Sequence, residues 1–567
     1  MKPQHGYRMR TLFPLLWRAA ALPLAITTTL SACGGGSGGA VGVPPGLQEK
    51  PGMTLSAVSS HCTAQPGAIC DDIHVTVRLA DGVTDTRPQS HEKPASGTAG
   101  VLQQADRQKQ ADGSWLLTFK AVPGLAPGVY AGKIELSLPL TVGVYKTESM
   151  DYQVTVAPFA GSMGALQALP GVGDWEGVNG NAAHTGLVPA TFDSRRFTRR
   201  WTWLGPSSPR AVVGSPVVAA NGLVYVSQQS AAPVEGSSTK YVTTSTATAL
   251  NESDSQARWT QSLTSDGYLG APAVSGGKLA MAGYDTVHVF DAHAGGVPLG
   301  VRPPNTNGTL LGVSLATAPT FFGGNVYVGG NNDISGIDAA AGQTRWSASL
   351  GLPKLGNVND WTPAVNGDTV YSHAAGTLTA FNIADGKARF SVAVPGQVLG
   401  GLNKSSLRQA PVLVDADSVL LLNQRPLAGE AANNSLSLVD VHSRAVRWTV
   451  QGQFSTQPVV AQGVVYVGNQ ASQALEARRL GDGAVLWSWP LDTALDAYFG
   501  GDLIVTGNLL FVGGRNNTYA IDLASHKTVW IYRMGGSLAL SRHGVLYIRQ
   551  GTDLPGGGMV LTAINLQ

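Results

Sequence analysis

From residue 174 onward the chain repeats itself, and a fixed internal period decides an architecture before any single residue does. The unit opens with an apolar strand behind a proline, turns at glycine into a second strand, and adds a third strand ending in aspartate. A further turn leads to a fourth strand with a bulky closing residue. The clearest copy runs Ala318-Pro-Thr-Phe-Phe-Gly-Gly-Asn-Val-Tyr-Val-Gly-Gly330, then Gly336-Ile-Asp-Ala-Ala-Ala-Gly-Gln-Thr-Arg-Trp346. Leading prolines stand at Pro216, Pro272, Pro319, Pro363, Pro411 and Pro458, and weaker openings at Asp502 and Leu538 bring the first strands to eight. Closing residues stand at Trp259, Trp346, Phe390, Trp448, Trp487 and Trp530, with Pro298-Leu299 once in their place. Seven outer strands therefore follow eight inner ones. The missing strand lies ahead of the first unit, in Arg199-Arg-Trp-Thr-Trp203. A ring that borrows this strand has no free sheet edge at its joint. The expected fold is all-β, an eight-bladed β-propeller over residues 174–567.

Composition agrees with this. Glycine (71) and proline (32) are abundant and charged residues make up only 13%, which excludes coiled coils and charge-rich disorder. Ahead of the repeat, residues 50–158 read as a smaller β-sandwich. Alternating apolar runs appear in Ile73–Leu79, Trp115–Val122, Tyr130–Leu138 and Tyr152–Ala157, separated by turn residues. The polar stretch 84–113 shows no period, and we expect a long surface loop there.

The motif Gly-x-Val-Tyr-Val-Gly, a strand ending in Asp, then Gly-x-x-x-Trp resembles the PQQ-like β-propeller repeat family. Gly222-Leu-Val-Tyr-Val226, Gly463-Val-Val-Tyr-Val-Gly468 and Gly483-Ala-Val-Leu-Trp487 carry the likeness. Trp175-Glu-Gly-Val-Asn-Gly-Asn-Ala-Ala-His-Thr-Gly186 resembles the lead-in peptide before such propellers, and Pro127–Leu136 resembles a hairpin of bacterial immunoglobulin-like domains.

The amino terminus reads as an address. Lys2, Arg8, Arg10 and Arg18 precede an apolar stretch, Ala19–Leu30, too short to span a bilayer as a helix. Leu30-Ser31-Ala32-Cys33 resembles the bacterial lipobox, which implies a signal peptide over 1–32 and lipidation of Cys33. The alternative is an ordinary secretory signal with a chance cysteine. Gly34, where an aspartate would imply inner-membrane retention, implies the outer membrane. Residues 33–49, rich in Gly and Pro, are expected to act as a flexible tether. Loss of the leader removes four positive charges and leaves 34 basic against 36 acidic residues, so no basic run supports nucleic-acid binding. Cys62 and Cys70 read as a small-loop disulfide in an exported protein. A metal site with the flanking His61 and His74 is the alternative, against which stands a spacing wider than zinc pairs use.

Chemistry is harder to find. The family resemblance implies, as one reading, an oxidoreductase holding pyrroloquinoline quinone with calcium on oxygen ligands. No adjacent cysteine pair and no acid-rich segment matches that need. The recurring Asp291, Asp338, Asp440 and Asp522 occupy one repeat position and read as turn caps. No HExxH, nucleophile elbow or phosphate-cradling loop appears. No catalytic, cofactor-binding or metal-ligating residue is therefore assigned. Binding remains. Connectors entering each first strand gather on one face of a propeller, and here they carry Tyr268, Asp360-Trp361, Lys404, Arg408, Phe454 and Tyr498-Phe499. Aromatic and arginine side chains anchor interfaces, so Tyr268, Trp361, Arg408 and Tyr498 form the candidate binding face; the alternative is that they plug the mouth. The expected function is a non-enzymatic, lipid-anchored envelope scaffold with a monomeric propeller and a protein partner. Its resemblance to propeller lipoproteins implies a role in outer-membrane protein assembly.

Overall fold

Each copy of the repeat folds back on itself three times because its apolar runs are short and glycine or an Asp-led turn separates them. In the computed structural model of the chain the result is eight sheets, blades 1 to 8, each built on four antiparallel strands. In blade 3, Thr320–Phe322 pairs with Asn325–Gly329, then Asp333–Asp338, then Gln343–Ser349. The structure describes residues 53–56, 60–63, 73–79, 87–94, 100–121, 128–138, 146–157 and 165–567, except 206–212, 215, 234–240, 264–268, 284, 305–317, 331–332, 351–361, 375, 396–409, 424–433, 494–495 and 551–558.

The ring closes with the borrowed strand. Thr198–Leu204 pairs with Val560–Asn565 as the outermost strand of blade 8. The inner strand of that blade, Ser537–Leu540, touches the inner strand of blade 1, Val218–Ala220. Second and third strands of the blades are buried almost throughout, as in Val464–Asn469 and Asn434–Asp440, because each is covered by a blade on both faces.

The closing tryptophans lock each blade to the next. Trp259 Nε1 donates to the Ala292 carbonyl at 3.0 Å, Trp346 to Ile383 at 2.9 Å and Trp448 to Leu480 at 2.7 Å, each acceptor lying in the following blade. The glycine of the following blade's turn makes the seat. A Cβ on Gly295, Gly386 or Gly483 would lie 2.6, 2.4 or 2.9 Å from the incoming indole, and all three have φ near +70°. Where glycine is missing another contact serves: Arg444 caps the Phe390 ring at 5.3 Å, and His526 stacks on Trp487 at 4.2 Å. Trp530 is the exception. Blade 8 takes its third and fourth strands from opposite ends of the chain, so it lacks the turn that supplies a carbonyl elsewhere. The Trp530 indole N–H is buried without a partner, and its ring meets Phe197 edge-on at 5.4 Å.

The recurring aspartates cap turns, as their position implied. Asp291 accepts from the amides of His293 and Ala294, Asp338 from Ala340 and Ala341, Asp440 from Ser443 and Asp522 from Ser525. These bonds hold each carboxyl below the usual range where a shift is resolved, most strongly at Asp440.

The front domain is a sandwich of two four-stranded sheets. Ile73, Val75, Val77, Trp115, Leu117 and Phe119 of one sheet face Ile134, Leu136, Leu138, Tyr152, Val154 and Val156 of the other. The expectation of a long loop over 84–113 is wrong. Gln89–Pro94 and Leu102–Lys109 are strands, each at the edge of a sheet. Edge strands keep polar and charged residues because one side faces no partner strand, which hid their period. Pro51–Gln567 forms one compact unit that holds both domains.

Candidate functional site at the channel mouth

The lead-in peptide ties the inner strands together. Its backbone visits nearly every blade in turn. Trp175 pairs with Ala219 of blade 1, and the Glu176 carbonyl accepts from Val274 of blade 2. The carbonyls of Ala182, Ala183, Thr185 and Gly186 then accept from Val365, Leu413, Val460 and Val505 of blades 4, 5, 6 and 7. Blade 3 is reached through a side chain, with His184 Nε2 3.4 Å from Thr320 Oγ1. Upstream, the Leu169 amide donates to the Arg542 carbonyl of blade 8. Such a winding needs left-handed residues, and Asn179, Gly180 and His184 supply them at φ +48°, +88° and +58°. A Cβ on Gly180 would lie 2.8 Å from the Trp175 ring.

This peptide lies against the inner strands of the ring. The space left between Trp175, Asn179, Pro216, Asp502 and Leu538 measures 10 Å³, about the size that admits one water. His184 is 1% exposed, its Nδ1–H donates to the Pro411 carbonyl at 3.0 Å, and burial pulls its pKa down to about 4.

The two ends of the barrel differ. One end carries tight turns, such as Gly276-Gly277, Gly323-Gly324 and Gln462-Gly463. The other carries the connectors into each inner strand. Those entering blades 3, 4 and 5 are 18, 14 and 18 residues long, while those entering blades 6, 7 and 8 have 6, 8 and 4. Connectors of that length are usually functional. Among the described residues, the mouth is best defined at blade 7. Tyr498 is half-buried, and the exposed Arg515 guanidinium lies 5.4 Å over its ring. Beneath them Asp496, 1% exposed, accepts from the Asn516 amide at 2.6 Å, Asn517 Nδ2 at 2.9 Å and Tyr519 OH at 2.6 Å. A buried carboxylate satisfied by three donors fixes both loops, so the Tyr498–Arg515 pair is preorganised.

Of the four residues predicted for the binding face, the structure places Tyr498 at the mouth. Tyr268, Trp361 and Arg408 lie outside the described residues, as do Asp360, Lys404, Cys33 and Cys70; Cys62 falls on the strand Ser60–Thr63, whose side chains are not described. Phe454 and Phe499 are corrections. They are 0% and 1% exposed and belong to the core between blades 5, 6 and 7, where Phe454 is pinned by Asn434. Connector residues can turn inward as easily as outward, and sequence alone did not separate them. Arg515 and Asp496 were missed because they stand outside the repeat and carry no periodic signal.

One group imitates a catalytic triad. Ser541 Oγ and His543 Nδ1 both bond Glu252, the histidine at 2.7 Å. A serine nucleophile must donate to the histidine, whereas here serine and histidine share the carboxylate. The cluster ties blade 8 to blade 1 and is structural. Among the described residues no three His, Cys, Asp or Glu side chains converge to hold a metal.

The sequence matches the family described as outer membrane protein assembly factor BamB over residues 243–489 and 330–563, together more than half of the chain. The chain belongs to this family. Its match to tetrathionate hydrolase of Acidithiobacillus ferrooxidans is 23% identical over 445 residues, covering 68% of this chain and 86% of that enzyme. Among solved structures, a europium-containing methanol dehydrogenase aligns over 70% of this chain and 98% of its own at 13% identity, with a TM-score of 0.50. BamB from Moraxella catarrhalis aligns over 65% and 99% at 14% identity, with a TM-score of 0.46. The dehydrogenase likeness establishes the propeller fold for this BamB-family chain and no activity.

Proposed function

We propose that this BamB-family chain is a protein-binding scaffold of the cell envelope, serving outer-membrane protein assembly. A signal peptide over 1–32, a lipid on Cys33 and a tether over 33–49 would place it at the outer membrane. The observation that carries the reading is the Tyr498–Arg515 pair on the connector face, whose two loops Asp496 holds together. Such a pair, rigid and partly desolvated, has the character of an interface anchor.

The test is a photo-crosslinking amino acid at Tyr498 in the full lipidated chain, with the adducts identified by mass spectrometry. The reading expects one discrete envelope-protein adduct, lost on Arg515→Glu. An adduct pattern unchanged by Arg515→Glu, or no adduct, overturns it. A second reading, hydrolysis of a sulfur oxyanion, rests on the tetrathionate hydrolase relative, matched over 86% of its length. Incubating the purified chain with tetrathionate and following thiosulfate release separates the two. The quinoprotein alternative is checked by adding the quinone with calcium and recording spectrum and dye reduction; stoichiometric binding with turnover would replace the scaffold reading.

A further inference from the structure

Glu92 stands on the edge strand Gln89–Pro94 of the sandwich, yet its carboxylate is only 7% exposed. Its own domain gives it Tyr152 OH at 2.5 Å, the Val101 amide at 2.6 Å and the Leu102 amide at 3.1 Å. The remaining donor comes from 441 residues away. Arg533 Nη1 lies 2.6 Å from Glu92 Oε2. Arg533 begins the four-residue connector from the outer strand of blade 7, Lys527–Tyr532, to the inner strand of blade 8. That connector is itself clamped, since the Gly536 amide donates to the Gly514 carbonyl at 3.0 Å. A Cβ on Gly535 would lie 2.5 Å from the Arg515 carbonyl oxygen, so the two loops are in direct contact.

The meeting point is shaped for the pair. A Cβ on Gly100 would lie 2.6 Å from Glu92 Oε2 and 3.2 Å from Arg533 Nη1, so a side chain there would enter the space the ion pair uses. Burial pushes the Arg533 pKa down while Glu92 and Tyr152 push it back up, which marks the guanidinium as largely withdrawn from water. Removing the Arg533 charge would leave the buried Glu92 carboxylate with the neutral donors of its own domain only.

We infer that Glu92 and Arg533 form a latch that makes the sandwich a rigid wall of the channel mouth beside Tyr498 and Arg515. The front domain is then not a spacer swinging on a loose linker. A partner seated on the Arg515 loop meets a surface made by both domains. The inference stands apart from the scaffold reading, because its test needs no partner.

Two variants approach the latch from opposite sides. Arg533→Met keeps the stem and removes the charge from the propeller; Gly100→Val fills the gap from the sandwich. Each is compared with the parent chain by small-angle scattering and calorimetry. The latch predicts one unfolding transition for the parent and two for each variant, with a larger radius of gyration in both. Should Arg533→Met fail to fold, Gly100→Val alone carries the comparison. Two transitions in the parent, or a Gly100→Val protein with unchanged scattering and a single transition, would overturn the inference.

Discussion

The indole N–H of Trp201 donates to the backbone carbonyl of Glu252 at 2.8 Å, and this bond joins a strand that precedes the first blade to the third-strand turn of that blade. It repeats at the joint the contact that Trp259, Trp346 and Trp448 make elsewhere, so the closing strand is held by the same device as the others. Ser255, at φ +62°, stands in this turn where blades 2, 3, 4 and 6 have glycine.

Ring closure is the first prediction. Trp201→Phe keeps most of the ring but deletes the donor, and should cost about 1–3 kcal/mol in denaturant unfolding by leaving a buried carbonyl unpaired. Trp201→Ala also opens a cavity and should cost roughly 3–5 kcal/mol. Removing residues 1–210 should give an aggregating protein with two open edges, whereas removing 1–160 should leave a soluble one. Equal solubility and equal melting of the two truncations would show that the ring closes without residues 199–203.

The seats of the tryptophans give a second, paired prediction. Gly386 and Gly367 have φ of +70° and +58°, but a Cβ on Gly386 meets Trp346 at 2.4 Å while one on Gly367 meets nothing within 4 Å. Gly367→Ala should lose only the backbone preference, about 1 kcal/mol. Gly386→Ala adds overpacking and should lose about 2–4 kcal/mol in all. Chemical denaturation of both variants decides it, and equal losses would mean that backbone strain alone sets the cost at Gly386.

A third prediction concerns acid. His184 and His373 are buried and their pKa values are pulled down to about 4, chiefly by burial. The unfolded chain binds protons at these positions near pH 6.5 and the folded chain does not, so stability rises with pH between about 4 and 6.5. Above pH 6.5 the penalty is absent. As pH falls toward 4 each histidine should remove about 3 kcal/mol. His184→Gln keeps a donor for Pro411 and drops one titration, so its deficit against the parent at pH 7 should shrink by pH 4.5. Urea midpoints at several pH values measure this, and a constant deficit would contradict it.

Anchoring is the fourth. Among the described residues no helix is long and apolar enough to cross a membrane. If Cys33 carries the lipid, Cys33→Ser should move the protein from the membrane to the soluble fraction, since multiple acyl chains hold firmly where one does not. Persistence in salt-washed membranes would mean another anchor.

What the residues disclosed follows from what leaves a mark on side chains. The blade count was readable because most units carry a leading proline and a bulky closing residue at fixed places, and the spare Trp201 and Trp203 betrayed the borrowed strand. Gln89–Pro94 was hidden because an edge strand need not alternate. The winding of residues 175–186 was hidden for a deeper reason. Its bonds run through main-chain carbonyls, which every residue has, and the sole side chain that betrays it, His184, looks like any lone histidine. At the mouth, Tyr498 was recognisable as a large polar aromatic in a connector, but Phe454 and Phe499 carried the same signal and turned inward.

The lead-in peptide also acts as a ruler. Six blades are met by its backbone in sequence order and a seventh by the imidazole that follows Ala183, so the spacing of its carbonyls is matched to one particular number of blades. A duplicated blade would arrive with an inner-strand amide and find no oxygen waiting; a deleted one would strand an oxygen away from water. Repeat proteins of the open kind grow or shrink by whole units at little penalty. This chain cannot drift in that way, because a dozen residues written before the first repeat already fix how many must follow.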